Sequence, residues 1–237
     1  IFRSVYFTNV RREDDRVTQF VRQWAENGKL EILPAAYTLA RMFNRVEPLR
    51  YLGYPHKWDV DSMADKIKDY RGKGKQVFSG AYLITTCGVK MDKIDYVFQV
   101  ADAVYKQAIP ISSLENTHYA LMGVNGLGSF LAAQIVADLK NTTGHPLSKA
   151  KDWWTFVAPG PGSIKGLNYY HGRPLAKQIS VSQFKNELEH LRIDTMGYVN
   201  LDGNRICNQD LQNCLCEFSK YMRVQAGGRT KRNYPGG

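Results

Sequence analysis

The sequence predicts a mainly α-helical protein, and three observations carry that expectation. Apolar residues recur at helical spacing in segment after segment. Only Gln76–Thr86 has a β flavour, and it is short. The stretch Leu121–Leu139 places a tight glycine turn in front of an Ala-rich helix that opens on Gly128.

The elements follow in chain order. Val10, Val17, Val21 and Trp24 fall on one helical stripe. Pro34 suits the first turn of a second helix, which carries Leu39, Ala40 and Phe43. Arg71-Gly-Lys-Gly-Lys75 reads as a flexible basic loop. Ile94, Val97, Ala101 and Val104 make a third stripe. Next comes the glycine turn, Gly126-Leu127-Gly128. Without a Cβ, the backbone there can take positive φ and approach a ligand closely. The helix N-terminus behind it offers N–H groups and a positive dipole end to an anion. Gly126, Gly128 and Ser129 are therefore candidate anion contacts, and the resemblance described below makes that anion a DNA phosphate. Ser180 with Gln183 resembles a capping box, and Val181, Phe184, Leu188 and Leu191 follow on one face. Leu211, Leu215, Phe218 and Met222 mark the last helix. From Phe218 onward the chain holds five Lys/Arg and no acid, which gives it a basic tail. These elements form one domain over 1–237, with two lobes at about 1–110 and 111–225.

A net charge of +10 and a pI near 9.4 favour a polyanionic partner, nucleic acid before membrane. The sequence has no apolar run long enough to span a bilayer. The cysteines are Cys87, Cys207, Cys214 and Cys216, without a Cys-x-x-Cys pair, so a reducing cytoplasm is the expected location. Cys214 and Cys216 would point to different faces of a helix, which argues against shared zinc. The chain begins at Ile1 with no Met and no secretory segment, so it reads as trimmed or as a piece of something longer.

Four clusters can do chemistry. In Asn9–Thr18, a helix would place Arg11 one turn from Asp15 and two turns from Thr18. Arg11 can hold a phosphate bidentately while Asp15 orients it. Asn44, Arg45 and Glu47 interrupt an apolar helix near its end, either capping it or facing the first cluster across a cleft. Gln134 and Asp138 are four apart and share a helix face. An acid late in a helix opposes the dipole, so Asp138 needs a base role or a cation partner. The fourth is Asp152–Leu167, where prolines and glycines alternate before Ser163, Lys165 and Gly166. Gly160, Gly162 and Ser163 can form an anion nest, and Lys165 adds a point charge. It reads as a rigid loop for phosphate or pyrophosphate. No Walker A pattern occurs anywhere in the chain.

The glycine turn looks like the helix-hairpin-helix that grips DNA phosphate in base-excision glycosylases. Taken with it, Asn9–Asp15, Ala40-Arg41 to Asn44-Arg45, Gly128–Asp138, Ala158-Pro-Gly-Pro-Gly162 and Cys216–Tyr221 resemble the phage DNA thymine-hypermodification proteins. That group comprises the α-glutamyl/putrescinyl thymine pyrophosphorylases, or amino acid:DNA transferases. The helical domain of 5-hydroxymethyluracil DNA kinases is closely similar. The resemblance spans nearly the whole chain and implies a glycosylase-like, all-helical fold acting on DNA. It implies a transferase that replaces the pyrophosphate of 5-(pyrophosphoryloxymethyl)uracil with an amine. The amine donor would be an amino acid or polyamine, and a pathway kinase would be a further partner. Where relatives are expected to carry Ala-Gly-Pro-Gly, this chain carries Ala-Pro-Gly-Pro-Gly.

That chemistry assigns roles. An extruded base needs aromatic stacking, for which Trp153, Trp154, Tyr169 and Tyr170 are candidates. Pyrophosphate departure needs charge neutralisation by Arg11, Lys165 and the Gly160–Ser163 backbone, with Mg²⁺ as a candidate cofactor. The amine must lose a proton to a carboxylate, either Asp138 or Asp152, with Glu217 third. Glu217 and Lys220 can instead bind the ends of the amine donor. Two rivals remain. A DNA glycosylase would use an acid about two dozen residues past the hairpin, where Asp152 sits. A non-catalytic DNA-binding domain of a kinase system would use none.

Overall fold

The computed structural model of the protein describes residues 1, 5–80, 82–199 and 206–229, without the side chains of 196, 198 and 199. Residues 230–237 of the basic tail therefore lie outside the described residues. The described residues are helical and contain no β-strand. The chain divides into two compact units. One is contiguous, Arg16–Trp153, and the other is split, combining Ile1–Asp15 with Trp154–Gly237. The position near 110 thus falls inside the contiguous unit.

The contiguous unit contains α1 (Arg16–Ala25), α2 (Leu33–Phe43), α3 (Val46–Leu52), α4 (Val60–Gly72), α5 (Lys93–Lys106), α6 (Leu114–Met122) and α7 (Ser129–Lys140). Helix α2 is buried at nearly every position and packs on both α5 and α7, so it is the core of the unit. Pro34 opens it as expected, and Asn44 closes it in the left-handed region at φ 47°. Side chains cap the starts of α4, α5 and α6. Asp59 accepts from the Ser62 N–H (3.2 Å), Asp92 from Ile94 (2.8 Å) and Ser113 from Asn116 (3.1 Å).

The split unit contains α8 (Pro161–Tyr170), α9 (Val181–Val199) and α10 (Asn208–Gln225). Its core joins Val157, Leu167, Phe184, Leu188, Leu211 and Leu215. Helices α8 and α10 lie unusually close. A Cβ at Gly166 would collide with the Leu215 carbonyl, and one at Gly162 would sit 3.2 Å from the Cys216 sulfur. Gly162 and Gly166 are one turn apart, so together they form the flat strip that lets the two backbones approach.

Three expectations about local structure are corrected. The first stripe does not continue back to Val10, because α1 starts at Arg16. Residues Arg12–Asp14 form a separate 3₁₀ turn, and Asp15 is extended (ψ 131°). Arg11 and Asp15 therefore do not share a helix face with Thr18. The Gln76–Thr86 segment forms no strand in its described residues, and no described segment pairs with it. It is anchored point by point instead, by the Ser79 N–H on the Phe43 carbonyl (3.0 Å) and by Phe78 on Phe43. The Pro-Gly stretch is not a loop throughout. Pro161 sits in the first turn of α8, where its missing N–H costs nothing.

Gly166→Ala is expected to lower stability by roughly 1–3 kcal/mol through overpacking against α10. Gly160→Ala, where an added Cβ meets nothing, should stay within about 0.5 kcal/mol of the parent. Urea unfolding of the two variants checks the pair.

Candidate functional site

A glycine turn joins two helices, as the glycine pattern predicts. Helices α6 and α7 pack against each other and are joined through 123–128. Gly126 has φ 98°, and a Cβ there would meet Val100 at 2.6 Å and the Tyr96 hydroxyl at 2.7 Å, so the turn lies directly on α5. Leu127 is buried and pins the tip. Gly128 is exposed and is the N-cap residue of α7, so no side chain caps that end. His118 reinforces the corner, with Nε2 3.0 Å from the Ser129 carbonyl and 3.4 Å from its hydroxyl. An open depression runs over Met122, Asn125 and Gly126 to Gly128, with Cys87 on its wall.

Behind the hairpin lies the most polar point of the core. Asp138 is fully buried, and Arg41 grips it with two bonds, Nε to Oδ2 (2.5 Å) and Nη2 to Oδ1 (2.6 Å). Arg22 adds a third at 3.2 Å. Arg41 also donates to the Thr18 hydroxyl (3.1 Å). Burial works against the Arg41 charge, yet the Asp138 carboxylate more than offsets it, so the guanidinium is held charged more firmly than usual. The Asp138 carbonyl accepts from Thr142, whose hydroxyl meets Tyr37 at 2.6 Å. One turn earlier, Gln134 accepts from Tyr82 (3.3 Å), and Tyr82 packs edge-on to Phe130. The cations that an acid late in a helix requires are thus internal to the fold.

Asp152 also works on backbone. Its two oxygens accept the N–H groups of Leu114 and Glu115, each at 3.0 Å, in the first turn of α6. Asn44 is a helix end whose amide reaches Ser79 (3.3 Å). Arg45 pairs with Gln76 (2.8 Å) and Glu47 (3.3 Å) at the surface. All of these residues belong to the contiguous unit.

The split unit brings a second set together. Glu217 and Lys220 are paired at 2.5 Å on α10. Both hold the N-terminal segment, Glu217 by the Thr8 N–H (3.2 Å) and Lys220 by the Tyr6 carbonyl (2.8 Å). The Lys220 ammonium also sits 4.9 Å from the Phe7 ring centroid. Arg11 flanks the 3₁₀ turn in the same unit, and the next N–H, that of Arg12, donates to Asp210 (3.2 Å). Ser163 is buried, and its hydroxyl bonds the N–H and the carbonyl of Gly160 (3.1 and 3.0 Å). Lys165 stands exposed on α8. Gln212 clamps Ala158 from both sides, accepting its N–H and donating to its carbonyl, each at 2.9 Å.

Among the aromatic candidates, Trp153 donates to the Lys140 carbonyl (3.0 Å) and lies under the Lys140 ammonium (4.3 Å). Tyr169 packs on Phe218, while Trp154 and Tyr170 are exposed. Among the described residues, no group of three or more His, Cys, Asp or Glu gathers as a metal site. No described helix is long and apolar enough to cross a membrane. The family described as 5-hmdU DNA kinase, helical domain, matches residues 1–230. The chain belongs to that family. No curated protein and no solved structure matches it. For the 5-hmdU DNA kinase helical-domain family, the match runs through both units, the hairpin and the Arg41–Asp138 pair included.

Arg41, Arg22, Gln212 and His118 were not singled out as site residues from the sequence. The available signal was a lone Arg inside the apolar run of α2, because a buried arginine demands an acid.

Asp138→Asn is expected to cost about 3–5 kcal/mol, since it leaves buried guanidinium charge uncompensated. Chemical denaturation of the purified variant measures it. Acid should also destabilise the fold. Burial depresses the pKa of both His118 and His145 below the ordinary 6.5, so the folded state keeps them neutral while the unfolded chain takes up protons. Their contribution is complete above about pH 6.5 and is lost as pH falls through the folded values. The pH-dependence between 7.5 and 5 should flatten in His118→Gln, and an unchanged slope would refute the assignment.

Proposed function

We propose that this chain engages DNA as a helical component of thymine hypermodification. The match to the 5-hmdU DNA kinase helical domain over residues 1–230 is the observation that carries this reading. The +10 charge supports a phosphate-bearing partner. The hairpin supports a specific contact, because α7 begins at an exposed glycine with no side-chain cap. Its first N–H groups and the positive helix end suit one backbone phosphate, as in the helix-hairpin-helix of glycosylases.

For its own chemistry, we propose the exchange of pyrophosphate for an amine on 5-(pyrophosphoryloxymethyl)uracil in DNA. The amine nitrogen forms a bond to the exocyclic carbon while the carbon–oxygen bond to pyrophosphate breaks. The proton released from nitrogen passes to a carboxylate, and pyrophosphate leaves with its electron pair. Glu217 is the base in this reading. Of the three carboxylates it is the one on a partly exposed helix beside a lysine, whereas Asp138 is enclosed by two arginines and Asp152 caps α6. Arg11, Lys165 and the start of α8 would neutralise the pyrophosphate, with Mg²⁺ as an additional counter-charge. A glycosylase reading would need Asp152 to give up two backbone bonds before it could act on a base.

Two measurements test the proposal. DNA affinity should fall at least about tenfold between 50 and 200 mM salt, and about tenfold again in Ser129→Glu, which sets a carboxylate where the phosphate binds. Salt-insensitive binding would remove DNA as the partner. In the second, DNA containing 5-hydroxymethyluracil is treated with the pathway kinase, this protein and an amine pool, and the nucleosides are weighed. An amine-bearing base that disappears with Glu217→Gln supports the transferase. Unchanged bases leave the DNA-engaging role alone, and strand breakage in hot alkali would mean base removal instead.

A further inference from the structure

A cavity of about 320 Å³ opens within the contiguous unit, far along α7 from the hairpin, at its C-terminal end. Its walls are Pro34, Val104, Ile109, Leu139 and Pro146, contributed by α2, α5, α7 and the segments after α5 and α7. That volume is at the lower end of the ~300–1,000 Å³ typical of small-molecule sites. Three exposed apolar side chains, Leu30, Tyr105 and Ile111, also line it.

Of the polar side chains that line it, Glu31 and Gln107 are exposed and His145 is the buried one. His145 is 3% exposed and lines the cavity. Its Nδ1 accepts the Leu147 N–H at 3.2 Å, so the proton of the neutral ring sits on Nε2. Among the described residues Nε2 has no acceptor, so its N–H is left for water or a ligand to take up. No lysine or arginine lines the cavity, while Glu31 does so from an exposed position. An anion would therefore meet a carboxylate and no cation.

We propose that this cavity binds a small, mainly apolar, uncharged molecule whose carbonyl oxygen accepts the His145 Nε2–H. Shape and desolvation supply the affinity, and the single hydrogen bond sets orientation. Phosphates, nucleotides and carboxylates are excluded by the Glu31 charge and the apolar wall. The site is independent of the reading of the hairpin and needs no catalytic residue.

Benzamide and benzoate are probes of one shape that differ in charge. Methyl resonances of Val104 and Leu139 are followed by NMR as each is added to the full chain. Benzamide is expected to shift them saturably in the millimolar range, with benzoate at least tenfold weaker. His145→Asn keeps an acceptor for the Leu147 N–H and removes the ring donor, so benzamide should bind about five- to tenfold more weakly. Glu31→Gln lies at the surface and should leave benzamide unchanged while narrowing the gap to benzoate. Absence of saturable shifts with benzamide would overturn the proposal, as would equal binding of the two probes by the parent protein. Should His145→Asn not fold, the comparison of probes in the parent and in Glu31→Gln decides alone.

Discussion

The contiguous unit depends on one buried ion pair, Arg41 with Asp138. It ties the core helix α2 to α7, the helix that the hairpin launches. Burying two charges is costly, and only geometry that satisfies both makes it tolerable. Here the carboxylate receives two parallel bonds from Arg41 and a third from Arg22, and Arg41 also reaches Thr18. Three helices, α1, α2 and α7, are thereby keyed to one carboxylate. An apolar replacement could hold them together, but it would not fix their rotation about their own axes. That rotation in turn sets the direction in which the N-terminus of α7 points.

The split unit solves a comparable problem without charge. The small strip at Gly162 and Gly166 brings α8 onto α10 at backbone contact distance, and Gln212 locks the approach by bonding both polar groups of Ala158. Close helix packing then sets where Glu217 and Lys220 stand on α10. The N-terminal segment lies against that face, held by the same two side chains. The glycines that read as a phosphate nest from sequence thus serve helix contact first. The two uses are compatible, since Gly160 and the start of α8 precede the contact strip.

Helical character, Pro34 at the start of α2, the hairpin and the apolar faces of α9 and α10 were legible because each is a local pattern. The stripe of α1 was legible only in part. Its period runs back to Val10, but the extended backbone at Asp15 breaks it, and no spacing rule encodes that break. Helix α8 was missed for a different reason. Alternating Pro and Gly signals a loop, and only contact with α10, some fifty residues away in sequence, makes those glycines favourable in a helix. The same limit governs charges. The position of Asp138 late in α7 correctly marks it as needing a cation or a reaction, but Arg41 lies 97 residues upstream. Sequence pattern can show that a charge is out of place. It cannot show whether the partner is inside the protein or is its substrate.

Three helix starts make that distinction concrete. At α6, Ser113 and both oxygens of Asp152 take up first-turn N–H groups, so that end is satisfied by the protein. At α8 the Ser163 hydroxyl bonds the N–H and the carbonyl of Gly160, which fixes the half-buried N-cap residue and leaves the first turn without a side-chain cap. The start of α7 has a glycine, an exposed position and no side-chain cap. A sequence that caps α6 with a distant aspartate has the means to cap α7 and does not. Unfilled donors at a helix start attract water or an anion, and on a chain with a net charge of +10 the anion is the stronger competitor. The starts of α2, α3, α8 and α10 also lack side-chain caps, but their N-cap residues Ile32, Arg45, Gly160 and Cys207 are buried or half-buried, so what sets α7 apart is that its uncapped start is exposed at Gly128.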